Sequence, residues 1–200
     1  IMGLLPDVAR IKCGSICVRG EELVGKSECE LQKLRGRLFS MVFQDPMTAL
    51  DPAMTIGDQI AEAVKQQKAD QKQRLSREQV YHRVEELMEL VGIDYPAERS
   101  RQYPHQFSGG MRQRTVLAVA LAGNPEIIFA DEPTTALDVT VQAQILDLFR
   151  DIQKKLGTSI VFVTHDLGAV AHVADRVAVM YAGKIVEIGT ADEIFYDPRH

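Results

Sequence analysis

The chain has 200 residues, 46% hydrophobic and 26% charged, with a formal net charge of −5. That length holds one domain with a good core, or a core with a small insertion. No apolar run approaches the ~20 residues a membrane span needs, and no Lys/Arg block suggests a nucleic-acid surface. Cys13, Cys17 and Cys29 make an odd number without a zinc-like second pair, which reads as three reduced thiols.

Ile1–Pro6 carries no basic flank or cleavage site, so no secretory signal is expected there. Without Met at position 1, the chain reads as a fragment. Residues 11–19 and 38–43 read as strands. A polar stretch at 65–76 predicts an exposed helix end or loop. Ser76 and Gln79 fit a capping box. Val80, Val84, Leu87, Met88 and Val91 follow at helical spacing, and Gly92 ends that helix. Residues 53–103 therefore predict a mostly helical insertion.

The pattern then changes to α/β alternation. Residues 111–122 predict an Ala/Leu/Val-rich helix stopped by Gly123-Asn124-Pro125, and 126–131 a buried strand. Val141, Ile145, Leu148, Phe149, Ile152 and Leu156 make a helical stripe ending at Gly157. Residues 159–164 form a continuous apolar run, the kind found in a parallel strand covered on both faces. Residues 177–181 and 184–188 predict a hairpin turning at Ala182-Gly183. The expected fold is α/β, a parallel-sheet core with a helical insertion.

Four motifs carry chemistry. Ile127–Glu132 is a buried strand ending in two adjacent acids, at the end where parallel sheets bind ligands. Asp131 is placed to hold Mg²⁺, and Glu132 to orient or deprotonate an attacking water. The plain alternative is two solvated acids. Ser108-Gly109-Gly110 opens a helix; bare N–H groups there make an anion site that glycines let a phosphate approach. Its plain alternative is a Ser cap with flexible glycines. His165 follows the strand at 159–164 and reads as a γ-phosphate contact beside Glu132, or as an incidental neighbour of a helix cap. Gln44 closes the strand at 38–43, as a functional glutamine or a polar strand end.

In this order the motifs resemble the nucleotide-binding subunit of ABC transporters, along essentially the whole chain. Ser108-Gly109-Gly110-Met111-Arg112-Gln113 resembles the family signature, Ile127–Glu132 the Walker B strand, Ala136-Leu137-Asp138 the D-loop, His165 the switch histidine and Gln44 the Q-loop. Phe43–Thr48, Tyr103–Arg114 and Asp131–Gln142 resemble the oligopeptide/dipeptide importer branch, which also includes importers of nickel and other small solutes. The resemblance implies a P-loop NTPase-like core divided as 1–52, a helical subdomain at 53–107, and 108–200 from the signature helix onward. It implies ATP and Mg²⁺ as cofactors. Glu132, His165 and Gln44 would be catalytic, Asp131 and Gln44 would hold the metal, and Ser108, Gly109, Gly110 and Gln113 would bind ATP in trans, with Asp138 in the D-loop. It further implies a head-to-tail second ATPase subunit, transmembrane permease subunits and, indirectly, a solute-binding protein, at the cytoplasmic face of the membrane. A DNA-repair or chromosome ABC ATPase would carry a long coiled coil in the 64 residues from Gln44 to Ser108, where no heptads run. Two further rivals are a non-hydrolysing interaction module and an ABC-fold translation factor; intact Glu132 and His165 speak against the first.

Gly20–Ser27 literally satisfies the phosphate-loop pattern G-x-x-x-x-G-K-[ST]. Glu21 and Glu22 would repel phosphate, the following segment is short and half polar, and Lys26 lies only 18 residues before Gln44. A surface turn is expected instead. The resemblance places the true loop just before Ile1, with Ile1–Pro6 the tail of the helix that follows it. The adenine-stacking aromatic would lie further upstream. These residues alone would then lack the Lys and Ser/Thr that hold phosphates and Mg²⁺, and are not expected to hydrolyse ATP.

Overall fold

The computed structural model of the chain describes residues 1–6, 8–70, 75–135 and 137–200, with the side chains of 68–70 left aside. The polar stretch at 65–76 falls partly outside them, and Ala136 wholly so. Strands β1 (Cys17–Val18) and β2 (Glu21–Glu22) form a short hairpin, followed by α1 (Glu28–Leu34) and β3 (Phe39–Val42). Four helices come next: α2 (Pro46–Ala49), α3 (Ile56–Asp70), α4 (Arg77–Leu90) and α5 (Pro96–Arg99). A 3₁₀ turn at Pro104–Gln106 leads into α6 (Gly109–Leu121). Then come β4 (Ile127–Asp131), α7 (Val139–Leu156), β5 (Ser159–Val163), α8 (Leu167–Val173), β6 (Arg176–Tyr181), β7 (Lys184–Thr190) and α9 (Ala191–Tyr196).

Strands β3, β4 and β5 form a parallel sheet in that order. Val42 pairs with Ala130 and Asp131 with Val163, so the three strands end nearly level. That register delivers Gln44, Glu132 and His165 to one edge of the sheet. β6 and β7 pair only with each other among the described residues, antiparallel. Ala182 and Gly183 both take positive φ (47° and 74°), as a two-residue type I′ turn requires.

The helices follow from local signals. Ser76 and Gln79 form the reciprocal capping box of α4, whose Val80, Val84, Leu87 and Met88 are buried on one face. Gly92 ends the helix at φ 72°. The Arg114 guanidinium, reaching from α6, donates to the Val91 carbonyl at 2.6 Å and supplies one of the partners a helix terminus lacks. From its second turn α6 is covered nearly all round, with Leu117, Ala118 and Leu121 at most 1% exposed. Beyond its end, a Cβ on Gly123 would come within 1.6 Å of the Gly36 carbonyl oxygen, so only glycine fits where the two loops cross. One core runs from α3 and α4 through α6 to Val42, Ile128, Ala130, Ile145 and Phe149. The subdomain boundary expected at 107/108 is therefore not a break in packing.

Some expectations need correction. Residues 1–6 form no helix: Gly3 sits at φ 69°, Pro6 has no N–H to give, and Arg35 Nε binds the Met2 carbonyl at 3.0 Å instead. Of the strand expected at 11–19 only Cys17–Val18 forms; Gly14 at φ 111° breaks the extended run. Helix α6 begins at Gly109, two residues before the expected start, because Ser108 rather than Gly110 is its cap. Among the described residues β5 is covered on one face only. Ile160 and Phe162 pack on the core, while Val161 and Val163 stand 45% and 51% exposed.

Candidate functional site

The site is built on strand ends. Asp131 is the last residue of β4 and half-buried. Glu132 follows in the left-handed region, at φ 43°, while its N–H still bonds the Val163 carbonyl at 2.8 Å. Such a backbone costs free energy for a residue with a Cβ, and it recurs where a side chain must be aimed. The Glu132 carboxylate meets three side chains. Gln44 Nε2 donates to Oε2 at 2.9 Å, the Thr135 hydroxyl donates to the same oxygen at 3.0 Å, and His165 Nδ1 lies 2.9 Å from Oε1. The bond to His165, and after it the bond to Thr135, hold the carboxyl below its usual range, in the ionised form. Glu132 is partly covered, with 27% of its side chain exposed against 76% for His165.

Gln44, Glu132 and His165, three separate readings in the sequence, thus meet in one cluster. Thr135 belongs to none of the four sequence motifs. Its signal is a hydroxyl three residues after the second acid, a spacing at which a turn brings side chain back to side chain. Asp166 does what a helix cap does: its Oδ1 accepts from the Gly168 and Ala169 N–H groups, and Gln142 Nε2 donates to its Oδ2 at 2.6 Å. Asp166 thus caps α8 while His165, the residue before it, meets Glu132.

Ser108 caps α6, its hydroxyl oxygen accepting from the Met111 N–H at 3.3 Å. Ser108 and Gly109 are exposed, so the first N–H groups of α6 face outward. A Cβ on Gly110 would come within 2.5 Å of Val141, and one on Gly109 within 3.5 Å of Leu137. A side chain at Gly110 would therefore have to displace the Val141 side chain at the start of α7, apart from any ligand. Asp138 caps α7 through the Val141 N–H at 3.0 Å. No hydrogen bond links Ser108–Gly110 to the Glu132 cluster among the described residues. Gln113, expected with the signature residues, is 2% exposed, and its amide nitrogen has no hydrogen-bond partner among the described residues. It lies where α6 is already covered, so it does not share the exposed anion face of Ser108 and Gly109.

Asp131 and Gln44 were the expected Mg²⁺ ligands. The Gln44 amide nitrogen is spent on Glu132, which leaves its oxygen outside that bond. No group of three or more His, Cys, Asp or Glu side chains is placed to hold a metal among the described residues. A carboxylate and an amide oxygen are donors of the kind a hard cation such as Mg²⁺ takes, with its other ligands from phosphates and water.

Gly20–Ser27 is not a phosphate cradle. Arg19 and Gly20 make the turn of the β1–β2 hairpin at φ 54° and 80°. Lys26 Nζ pairs with Glu21 at 3.4 Å, and Ser27 caps α1, a helix of seven residues. Glu22 accepts from Ser15 and from the Ile16 and Val24 N–H groups, which hold its carboxyl down at about 2 and fix an anion in the loop.

Residues 1–135 match the family described as ABC transporter. The oligopeptide transport ATP-binding protein OppD of Bacillus subtilis is 58% identical over the whole chain, which spans 55% of that relative. The dipeptide transport ATP-binding protein DppD of Lactococcus lactis is 52% identical over the whole chain, which spans 56% of it. The chain thus covers little more than half of these relatives. A dimeric ATP-binding cassette solved in a post-hydrolysis state with ADP and Pi superposes with TM-score 0.76 at 26% identity, over 90% of this chain and 74% of that one. A dimeric bacterial ABC transporter cassette gives 0.77, at the same identity and coverage.

Proposed function

From the premise that the chain belongs to the ABC transporter family, we propose that it is part of the ATP-hydrolysing subunit of an importer of di- or oligopeptides. One observation carries the chemistry: an ionised Glu132 gathered with Gln44 and His165 at the ends of parallel strands. In this reading Glu132 orients the attacking water and takes its proton. His165 faces the γ-phosphate from the β5–α8 turn. Asp131 and Gln44 would hold Mg²⁺, which when bound neutralises charge on the phosphates. The exposed N-terminus of α6, at Ser108, Gly109 and Gly110, would meet the nucleotide of a second, head-to-tail subunit, with Asp138 beside the shared interface. Gln113 would support that helix from within. Gly20–Ser27 supplies no phosphate cradle, so that part of the site is assigned outside these residues.

The peptide substrate rests on the names of the relatives, two of which are peptide transport ATP-binding proteins. No helix of the described residues is long and apolar enough to cross a membrane. Permease subunits would therefore carry the solute, and this subunit would work beside them at the cytoplasmic face, with a solute-binding protein acting indirectly. In the full-length gene product, Glu132→Gln is expected to keep ATP binding and lose about two orders of magnitude in hydrolysis, the usual worth of a positioned general base. Turnover close to wild type in that variant would overturn the assignment.

A further inference from the structure

The three side chains on the Glu132 carboxylate are not equivalent. Gln44 comes from the end of β3 and His165 from the turn after β5, each on a strand of its own. Thr135 belongs to the same turn as Glu132. The Thr135 N–H donates to the Glu132 carbonyl at 3.1 Å, and the Leu137 N–H to the Thr134 carbonyl at 3.3 Å. Thr134 is 6% exposed, so the turn is anchored from beneath. Thr135 is itself partly buried, and its hydroxyl reaches Oε2 at 3.0 Å.

We propose that Thr135 is a positioning residue for Glu132, its hydroxyl fixing Oε2 so that Oε1 is the oxygen left to meet the water. This rests on Glu132 acting as the base. Gln44 and His165 both have other work at a bound nucleotide: Gln44 toward the cation, His165 toward the γ-phosphate. When either turns to that work, Glu132 loses a restraint and its three side-chain torsions loosen. Thr135 has no such competing task in this reading, and the turn carries it along with Glu132. A base displaced by a fraction of an ångström loses much of its effect, since catalysis of this kind depends on hydrogen-bond reach. Oε2 is shared by Thr135 and Gln44, and Oε1 is held by His165 alone. The departure of His165 toward phosphate therefore frees one oxygen while Thr135 keeps the other in place.

The test uses the full-length gene product and separates hydroxyl from shape. Thr135→Val keeps the branched outline and removes the donor. Its kcat for ATP hydrolysis is expected to fall about tenfold, on the scale of one hydrogen bond to a charged group, with KM for ATP changed by less than about twofold. Thr135→Ser restores the donor and is expected to return kcat to within about threefold of wild type, a loss too small for a missing charged hydrogen bond. Combined with Glu132→Gln, Thr135→Val should add no further loss, because the two act as a unit. A Thr135→Val enzyme with wild-type kcat overturns the inference. So does a Thr135→Ser enzyme as slow as Thr135→Val, since the role would then lie in the turn's packing. Normal turnover in Glu132→Gln alone would instead overturn the reading of the site itself, and the two failures are told apart.

Discussion

Val80, Val84, Leu87 and Met88 of α4, with Val91 just beyond, are at most 2% exposed, whereas Val161, Val163, Met180, Ile185 and Ile188 of β5 to β7 stand between 45% and 67% exposed. The two sets are alike in kind. Both are aliphatic or Met residues at the spacing their element requires: every third or fourth in the helix, every second in β5, and three apart for Ile185 and Ile188, which a register shift between β6 and β7 separates. Their surroundings differ. α4 lies against α3 and α6 and shares their core. β5 pairs with β4 on one edge only, and β6 and β7 pair only with each other among the described residues. A two-stranded ribbon has little independent stability in water, and an open strand edge invites another chain. Periodicity thus sets which face of an element is apolar, and the neighbours alone decide whether that face is covered.

Substitutions on the two sides should differ accordingly. Leu87 is fully buried among α3, α4 and α6. Leu87→Ala removes buried methyl groups and leaves a cavity, at an expected cost of about 2–5 kcal/mol. Denaturant unfolding of wild type and variant measures it, and a loss below about 1 kcal/mol, typical of a surface site, would mean the helical core is looser than its burial indicates. Val161→Lys, in the same 200-residue chain, should change stability by no more than about 0.5 kcal/mol. It should also reduce self-association, because a lysine on a sheet edge blunts pairing with other chains. Light scattering across a concentration series reads the second effect. If Val161→Lys costs as much as Leu87→Ala, the open face is covered in solution and the contrast disappears.

How much was legible in the sequence follows the same division. The α4 boundary could be read because its cap, apolar stripe and terminal glycine are all local: Ser76, Gln79 and Gly92 each act within a few residues. The β6–β7 turn was equally local, fixed by two residues at positive φ. The grouping of Gln44, Glu132 and His165 was reachable because each closes a strand, and parallel strands end together. Thr135 was not reachable in the same way. Nothing in a Thr-Thr pair says which hydroxyl turns back to a carboxylate; the left-handed backbone at Glu132 decides that. The open face of β5 was misread for the reason above. An unbroken apolar run records what a strand could bury, and among the described residues Val161 and Val163 have no neighbour that buries them. The burial of Gln113, three residues after Gly110 on α6, was not legible either, because it depends on what packs around that helix.

The smallest expected effect lies at Lys26. The pattern Gly20–Ser27 promises a lysine that grips phosphate, and the structure puts that lysine beside a two-stranded hairpin, paired with Glu21 at 3.4 Å. Glu22 sits in the same loop as a fixed anion, held by Ser15 and two backbone N–H groups. A phosphate brought to this loop would meet two carboxylates before it met Lys26. The ion pair itself is a surface one, of the class worth about 0–1 kcal/mol, so even its loss should be hard to detect in unfolding. Lys26→Ala in the full-length gene product is therefore expected to leave ATP affinity unchanged. A lysine that does hold β- and γ-phosphates contributes a charge-assisted bond of about 1.5–3 kcal/mol, or at least tenfold in the dissociation constant. Equilibrium binding of a fluorescent ATP analogue distinguishes the two. A tenfold weakening would restore Gly20–Ser27 as the phosphate loop, and would require β1 and β2 to rearrange when nucleotide binds, since in the present hairpin Lys26 is turned to Glu21.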